Sequence, residues 1–300
     1  MAFAKLSGAL LVRKDAPVAE IVSVPKVAPA PAPAPVVRES DTLLAHHLRE
    51  LRLPTFLSEY EKLARQWAAA EGLDRSAYLL RLVEAELIER KRRLVEHRIK
   101  AARFPAVKDL DSFDFAAVPS LEKGLVMELA RCEYVARREN VIAVGNDGTG
   151  KTHIALGLGL AACQKGLSVG FTTASLLMSE LFEALDERHL LRLKRRLAAY
   201  EVLIIDEFGY APLSTGVAGL LFDVISQRYE RGSTIITSNL PIDEWNSVFG
   251  TERLTDALVD RLTHRVHILE MKGESYRHTH SEPPQPQRRG NGAGRGKRVQ

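Results

Sequence analysis

Apolar positions recur along this chain with two different periods, and the change from one to the other divides it. Leu44, Leu48 and Leu51 follow helical spacing up to Pro54, and Phe56, Tyr60, Leu63 and Trp67 form a second helical stripe closed by Gly72. Asp74 is placed to cap a third helix that carries Leu80, Val83, Leu87 and Leu94 on one face. The polar side of that helix turns strongly basic after Glu89, and the helical region ends near Arg103-Phe-Pro105. From about Lys108 short β-branched runs alternate with helical stretches: Val141-Ile-Ala-Val144, Ser168-Val-Gly-Phe171, Val202-Leu-Ile-Ile205, Thr234-Ile-Ile-Thr237 and Val266-His-Ile-Leu269. Strand and helix in alternation predict an α/β fold, a parallel sheet with helices on both faces, preceded by a small all-helical domain.

The flanks read differently. Pro29-Ala-Pro-Ala-Pro-Ala-Pro35 can neither continue a helix nor donate to a sheet, which predicts an extended leader. Beyond Gly273 the composition turns to Pro, Gly, Gln and Arg. The expected organisation is therefore a disordered leader over 1–40, a helical domain over 41–105, an α/β domain over 106–272 and a disordered basic tail over 273–300.

Composition adds bounds. A hydrophobic share of 45% and a charged share of 27% are ordinary for a soluble protein, and no run approaches the length needed to span a membrane. The short apolar run Leu6–Val12 is closed by Arg13-Lys14-Asp15 without a convincing cleavage site, which argues against secretion. Cys132 and Cys163 show no metal-ligand spacing and suggest no disulfide framework, so a reducing cytoplasm is expected. The net charge of +4 is concentrated in clusters at Arg90–Arg93, Arg192–Arg196 and Arg288–Arg298, which attract polyanions, nucleic acid first among them.

The chemistry is concentrated in four places. Gly145-Asn-Asp-Gly-Thr-Gly-Lys-Thr152 follows an apolar strand and opens a helix, the setting in which G-x-x-x-x-G-K-T cradles the phosphates of ATP. Gly145, Asn146, Asp147, Gly148, Thr149 and Gly150 would turn backbone N–H groups towards phosphate oxygens, Lys151 would contact the β- and γ-phosphates, and Thr152 would hold Mg²⁺. Asp147 is an acidic side chain in an anion-binding loop, and either points outward or weakens affinity. The apolar run ending in Asp206-Glu207 suits a second metal ligand, Asp206, beside a general base, Glu207. Asn239, at the carboxyl end of another strand, can reach the γ-phosphate or the attacking water. Arg261, in Asp260-Arg-Leu262, could be offered to a neighbour's γ-phosphate, although spacing does not separate it from Arg253 or Arg265.

Together, Gly148-Thr-Gly-Lys-Thr-His-Ile-Ala155, Ile204-Ile-Asp-Glu-Phe-Gly-Tyr210, Gln227-Arg-Tyr-Glu-Arg231, Thr234-Ile-Ile-Thr-Ser-Asn-Leu240 and Asp260-Arg-Leu-Thr-His264 resemble the IstB-like ATPases. These are insertion-sequence helpers of the AAA+ superfamily, related to the helicase loader DnaC. The resemblance runs from about Leu43 to Leu269, and His153 and the Arg-Tyr-Glu run are more specific to it than the phosphate loop. It implies an ATP-dependent homo-oligomer on DNA, with little sequence preference, that recruits or stimulates a partner transposase.

By the same resemblance Lys151 and Thr152 are the Walker-A pair, Asp206 and Glu207 the Walker-B pair, Asn239 the sensor and Arg261 the finger. Asn146-Asp147 departs from the usual proline-containing start of the loop. After the last strand little remains to form a lid, which makes self-association the expectation. For DNA, Arg192, Arg195 and Arg196 are the favoured contact. Arg93 and Lys100, on one helix face with Arg90 and His97, are assigned to DNA or to subunit contacts. The alternatives are a DnaC-like loader of a replicative helicase, a small-molecule kinase, which needs a lid and an acceptor pocket and against which Asp206-Glu207, Asn239 and the Asp260-Arg261 pair argue, and an ATP-gated adaptor with negligible turnover.

Overall fold

A computed structural model describes residues 39–68, 74–184, 186–209, 215–245, 252–273 and 275–276. The Pro/Ala run, Gly72, Tyr210 and the Arg288–Arg298 cluster lie outside the described residues, as does the side chain of Trp67. The first compact unit, residues 1–52, contributes helix α1, Glu39–Glu50.

The second unit, residues 53–300, begins with α2, Pro54–Ala68. Pro54, expected only to stop the preceding helix, is the first residue of this one, where its missing N–H is not needed. Helix α3, Arg75–Ala102, starts as expected at Asp74, whose side chain accepts from the Ser76 amide at 2.9 Å. It ends where Arg103 takes a left-handed conformation, φ 59°. The apolar face read from the sequence is not the face that packs. Leu80, Val83, Leu87 and Leu94 are exposed, whereas Leu82 and Glu86 are buried. Glu86 accepts from the Thr55 amide at 2.9 Å and from Arg90 and Arg93 at 3.0 and 3.1 Å. Burial opposes its ionisation, but the hydrogen bonds from Arg90 and Thr55 outweigh that and hold its pKa below the usual carboxylate range. The inner face of α3 thus carries a charge beside Leu82, and the Tyr78 hydroxyl, which donates to the Tyr60 carbonyl at 2.9 Å, adds a second polar tie to α2.

After short helices α4, Lys123–Leu129, and α5, Glu133–Ala136, the chain enters the sheet. The order thereafter is β1 Asn140–Gly145, α6 Lys151–Gln164, β2 Val169–Thr173, α7 Ala174–Glu183, α8 Glu187–Ala198 and β3 Val202–Phe208. It continues with α9 Thr215–Arg228, β4 Ser233–Ser238, α10 Glu252–Thr263 and β5 Val266–Met271. All five expected strands are present, in one parallel sheet of order β2-β3-β4-β1-β5. Successive side chains of a strand point to opposite faces, and here both sets are apolar because both faces are covered. Val141, Val202, Ile204 and Ile235 join Ile154 and Leu158 of α6, with Ala102 and Phe104 from the end of α3 packed there too. Ile142, Leu203, Ile205 and Ile236 face the other way, onto α7 to α10. No helix among the described residues is long and apolar enough to cross a membrane.

At the amino ends of the strands, one buried cation ties several elements together. Arg228, 2% exposed, donates to the carbonyls of Leu197 (2.6 Å), Tyr200 (2.8 Å) and Ser233 (2.6 Å) and to the Thr234 hydroxyl (3.3 Å). It thereby joins the carboxyl end of α8 to the start of β4, where orphan carbonyls and the helix dipole both favour a cation. Burial pulls its pKa down to about 10, so it remains charged at neutral pH. Gly232 makes room: a Cβ there would lie 2.8 Å from the guanidinium. Replacing Arg228 by Met would leave these carbonyls without their donor. Arg228→Met should lower the unfolding free energy by at least about 3 kcal/mol, since three carbonyls lose this donor and each buried unsatisfied group costs about 1–3 kcal/mol. A urea titration reads this as a lower midpoint at similar slope; an unchanged midpoint would show that the clamp contributes nothing.

Candidate active site

The phosphate-type loop is built by glycines whose neighbours leave no room for a side chain. Gly148 has φ +81°, and a Cβ on it would sit 2.0 Å from the Ser275 hydroxyl. Gly150 has φ +91° and precedes α6 directly, and its Cβ would lie 2.6 Å from the ring of Phe113. Phe113 is held in turn by His153, whose ring it meets edge-on at 5.3 Å and whose Nε2 lies 2.8 Å from the Asp109 carbonyl. His153 thus fastens the segment leading into the domain to the first turn of α6. On the loop's other side the Tyr276 amide donates to the Gly148 carbonyl at 3.1 Å, so two residues read from the sequence as tail lie against the loop.

Inside the loop, Lys151 Nζ donates to the Gly145 and Asn146 carbonyls at 2.8 and 2.7 Å, and the buried Thr149 hydroxyl donates to the Asn146 carbonyl at 2.9 Å. These bonds close the loop on itself at the amino end of a 14-residue helix, where backbone N–H groups and the helix dipole favour an anion. Asp147 is exposed, the outward-facing alternative.

The two carboxylates at the end of β3 have opposite surroundings. Asp206 is 4% exposed and accepts from the Thr152 hydroxyl, 2.9 Å from Oδ1 and 3.1 Å from Oδ2. Glu207 is exposed and has φ +58°, a left-handed conformation costing about 1–2 kcal/mol for a residue with a Cβ. The cause is a β-bulge. Ile205 pairs with Ile236 and Phe208 with Ser238, so Asp206 and Glu207 together oppose the single residue Thr237. In a regular strand Glu207 would share the face of Leu203 and Ile205 and enter the apolar core. The bulge gives that place to Phe208, which is buried against Trp245 at a ring separation of 4.7 Å. Thr237, 1% exposed, bridges the bulge: its hydroxyl accepts from the Glu207 amide at 3.0 Å and donates to Asp206 Oδ1. Thr237 was not singled out from the sequence. The available signal was a hydroxyl in an otherwise apolar central strand, two positions before Asn239.

Oxygen ligands side by side on Thr152 and Asp206 are the hard donors that Mg²⁺ prefers, so this pair fits that ion. A family model for IstB-like ATP binding proteins matches residues 46–283. The chain belongs to the IstB-like ATP-binding proteins. It is 37% identical over 231 residues to an ATP-binding protein of insertion sequence IS5376 from Geobacillus stearothermophilus, which covers 77% of this chain and 92% of that protein. It is 39% identical over 230 residues to the corresponding protein of insertion sequence IS21 from Pseudomonas aeruginosa, covering 77% of this chain and 86% of that one. Among solved structures it is similar to DnaI, with TM-score 0.47 and 17% identity over 55% of this chain and 90% of that one. It is also similar to the DnaC helicase loader, with TM-score 0.44 and 24% identity over 49% of this chain and 86% of that one. By its family and these relatives the chain is an ATP-binding protein.

The remaining expected site residues are dispersed. Asn239 is half-buried just past β4. Arg261 is half-buried on α10, donates to Ser226 Oγ and lies 4.2 Å over the Phe222 ring, both on α9. Arg253 and Arg265 are exposed. On α8 the apolar residues Leu193 and Leu197 are buried, while Arg188, Arg192 and Arg195 follow one another at spacings of four and three on the exposed side. Arg188 is an addition to the sequence-derived set. Arg196 is drawn to Glu180 at 2.6 Å, and Lys194 to Asp223 at 2.7 Å. In the first cluster Arg90 and Arg93 are engaged by Glu86, whereas His97 and Lys100 are exposed.

The loop's construction makes one side chain answerable for affinity. Lys151→Ala should weaken ATP binding at least about 10- to 100-fold, matching the 1.5–3 kcal/mol of a hydrogen bond to a charged group. Equilibrium titration with a fluorescent ATP analogue measures it, and affinity equal to the parent's would remove Lys151 from the nucleotide site.

Proposed function

We propose that this IstB-like ATPase is the DNA-binding helper of an insertion sequence: copies of it assemble on target DNA in an ATP-dependent manner and recruit or stimulate the transposase of the same element. The observation that carries the chemical half of this reading is the separation of two adjacent carboxylates, one buried on Thr152 and one exposed. In it, Lys151 holds the β- and γ-phosphates, and Thr152 and Asp206 hold Mg²⁺, which neutralises charge on the phosphate oxygens when bound. Glu207 takes a proton from the water attacking the γ-phosphorus. The P–O bond to the β-phosphate breaks, its electron pair leaves with ADP, and inorganic phosphate is the second product. Asn239 orients that water or the γ-phosphate. Arg261, held on α9 by Ser226 and the Phe222 ring, is the group offered to the nucleotide of a neighbouring copy.

The DNA half rests on α8. Its exposed arginines stand on a helix whose other side is anchored in the core and whose carboxyl end is clamped by Arg228. A rigid row of guanidinium groups suits backbone phosphates and carries no base-reading geometry, which fits recognition with little sequence preference. In this reading residues 106–272 are the motor, while the helices over 41–105, with Arg93 and Lys100, serve DNA or subunit contacts.

Salt dependence tests the DNA half. For the parent, the logarithm of duplex affinity should fall against the logarithm of salt with a slope of about −0.9 per phosphate neutralised. Replacing Arg192, Arg195 and Arg196 with Ala should flatten that slope while sparing ATP binding measured without DNA. A triple variant with the parent's affinity and slope would show that α8 is only a solvated helix face.

A further inference from the structure

We propose that Thr237 is a positioning residue for ATP hydrolysis: its single hydroxyl bridges and fixes the bulge that divides Asp206 from Glu207. The inference rests on reading Glu207 as the base, and goes beyond it by assigning what aims that base. Three observations converge on the hydroxyl. It bonds both residues of the bulge, accepting from the Glu207 amide at 3.0 Å and donating to Asp206 Oδ1. Thr237 is 1% exposed in the sheet interior, so no water replaces it readily. Glu207 holds φ +58°, which a regular strand would not impose, and the pairing register shifts at that point and nowhere else among the described pairs.

The physical argument follows from what the bulge leaves unpaired. Two residues of β3 oppose one of β4, so one amide of β3 has no ladder carbonyl to donate to. An amide partly shielded from water is costly to leave without a partner, and the Thr237 hydroxyl supplies the acceptor. The same hydroxyl has one proton to give, and gives it to the carboxylate that also accepts from Thr152. A donor chain therefore runs from the Glu207 N–H through Thr237 Oγ1 to Asp206, its two bonds polarising one another, and the Thr152 hydroxyl donates separately to the same carboxylate. The backbone of the residue proposed as base is thereby registered against the carboxylate proposed as metal ligand. Without the hydroxyl, the Glu207 amide and the Asp206 carboxylate lose their common partner, and the backbone that aims Glu207 is no longer fixed against Asp206.

Thr237→Val keeps the shape and removes both bonds; Thr237→Ser keeps the bonds. ATP affinity, kcat and thermal unfolding are measured for both and for Glu207→Gln, together with the double variant Thr237→Val/Glu207→Gln. Thr237→Val should lose about 10²-fold in kcat, the scale of a misaimed catalytic group, with ATP affinity within about threefold of the parent's. Thr237→Ser should restore kcat to within about threefold. If Thr237 acts through Glu207, the double variant turns over no more slowly than Glu207→Gln alone, because effects of residues acting as a unit do not multiply. Parent-like kcat in Thr237→Val beside a slow Glu207→Gln overturns the positioning role and leaves the base intact. Parent-like kcat in Glu207→Gln overturns the base reading itself. Multiplied losses in the double variant also overturn the inference, since they place the Thr237 effect elsewhere. Should Thr237→Val fail to bind ATP or to fold, Thr237→Ala and Thr237→Ser make the same comparison.

Discussion

A strand buried on both faces has no natural place for two consecutive charges, and the organisation of this site follows from how β3 resolves that conflict. Alternation would send Asp206 to the α6 side and Glu207 into the apolar layer beneath α7 to α10. The bulge breaks the alternation by one residue. Asp206 stays on the α6 side, where the Thr152 hydroxyl meets it; Glu207 turns out to solvent in a left-handed conformation; Phe208 takes the vacated core position. The strain at Glu207 is offset by the burial of Phe208 and Trp245 and by the two bonds of Thr237.

The opposite end of the sheet is organised by a different economy of charge. Arg228 has neutral acceptors rather than a carboxylate, and its bonds gather the end of α8 and the start of β4. Asn140 adds to this, donating to the Leu262 carbonyl at 3.0 Å and accepting from the Thr234 amide at 2.9 Å, which ties β1 to α10 and β4. The carboxyl ends of the strands are thereby left to the loop and the carboxylates, while the amino ends fix the helices that bear Arg192, Arg195 and Arg261. One rigid sheet connects the two.

Much of this was legible in the sequence because the signals are local. Each strand is a run of β-branched residues long enough to announce itself, and Gly145-to-Thr152 dictates its own geometry through glycines, lysine and threonine in fixed order. What was not legible depends on contacts between distant residues. The bulge needs Thr237, 30 positions from Glu207, and nothing around Asp206-Glu207 signals a change of register. On α3 the hydrophobic pattern pointed to Leu80, Val83 and Leu87, but the buried side carries Leu82 and Glu86, the latter bonded to Thr55, Arg90 and Arg93. That network also engages arginines which the sequence offers as a free basic cluster. His153 stood out by its company with the loop, yet its work, holding Asp109 and Phe113 against α6, required the fold.

The division of the two carboxylates by the bulge is the central claim, and a high-resolution crystal structure with Mg²⁺ and a non-hydrolysable ATP analogue tests it most directly. The account predicts that Glu207 keeps a positive φ, that Thr237 Oγ1 stays within hydrogen-bonding distance of the Glu207 amide, and that Phe208 remains against Trp245. A regular β3 with Glu207 in an extended conformation on the Ile205 side would contradict it.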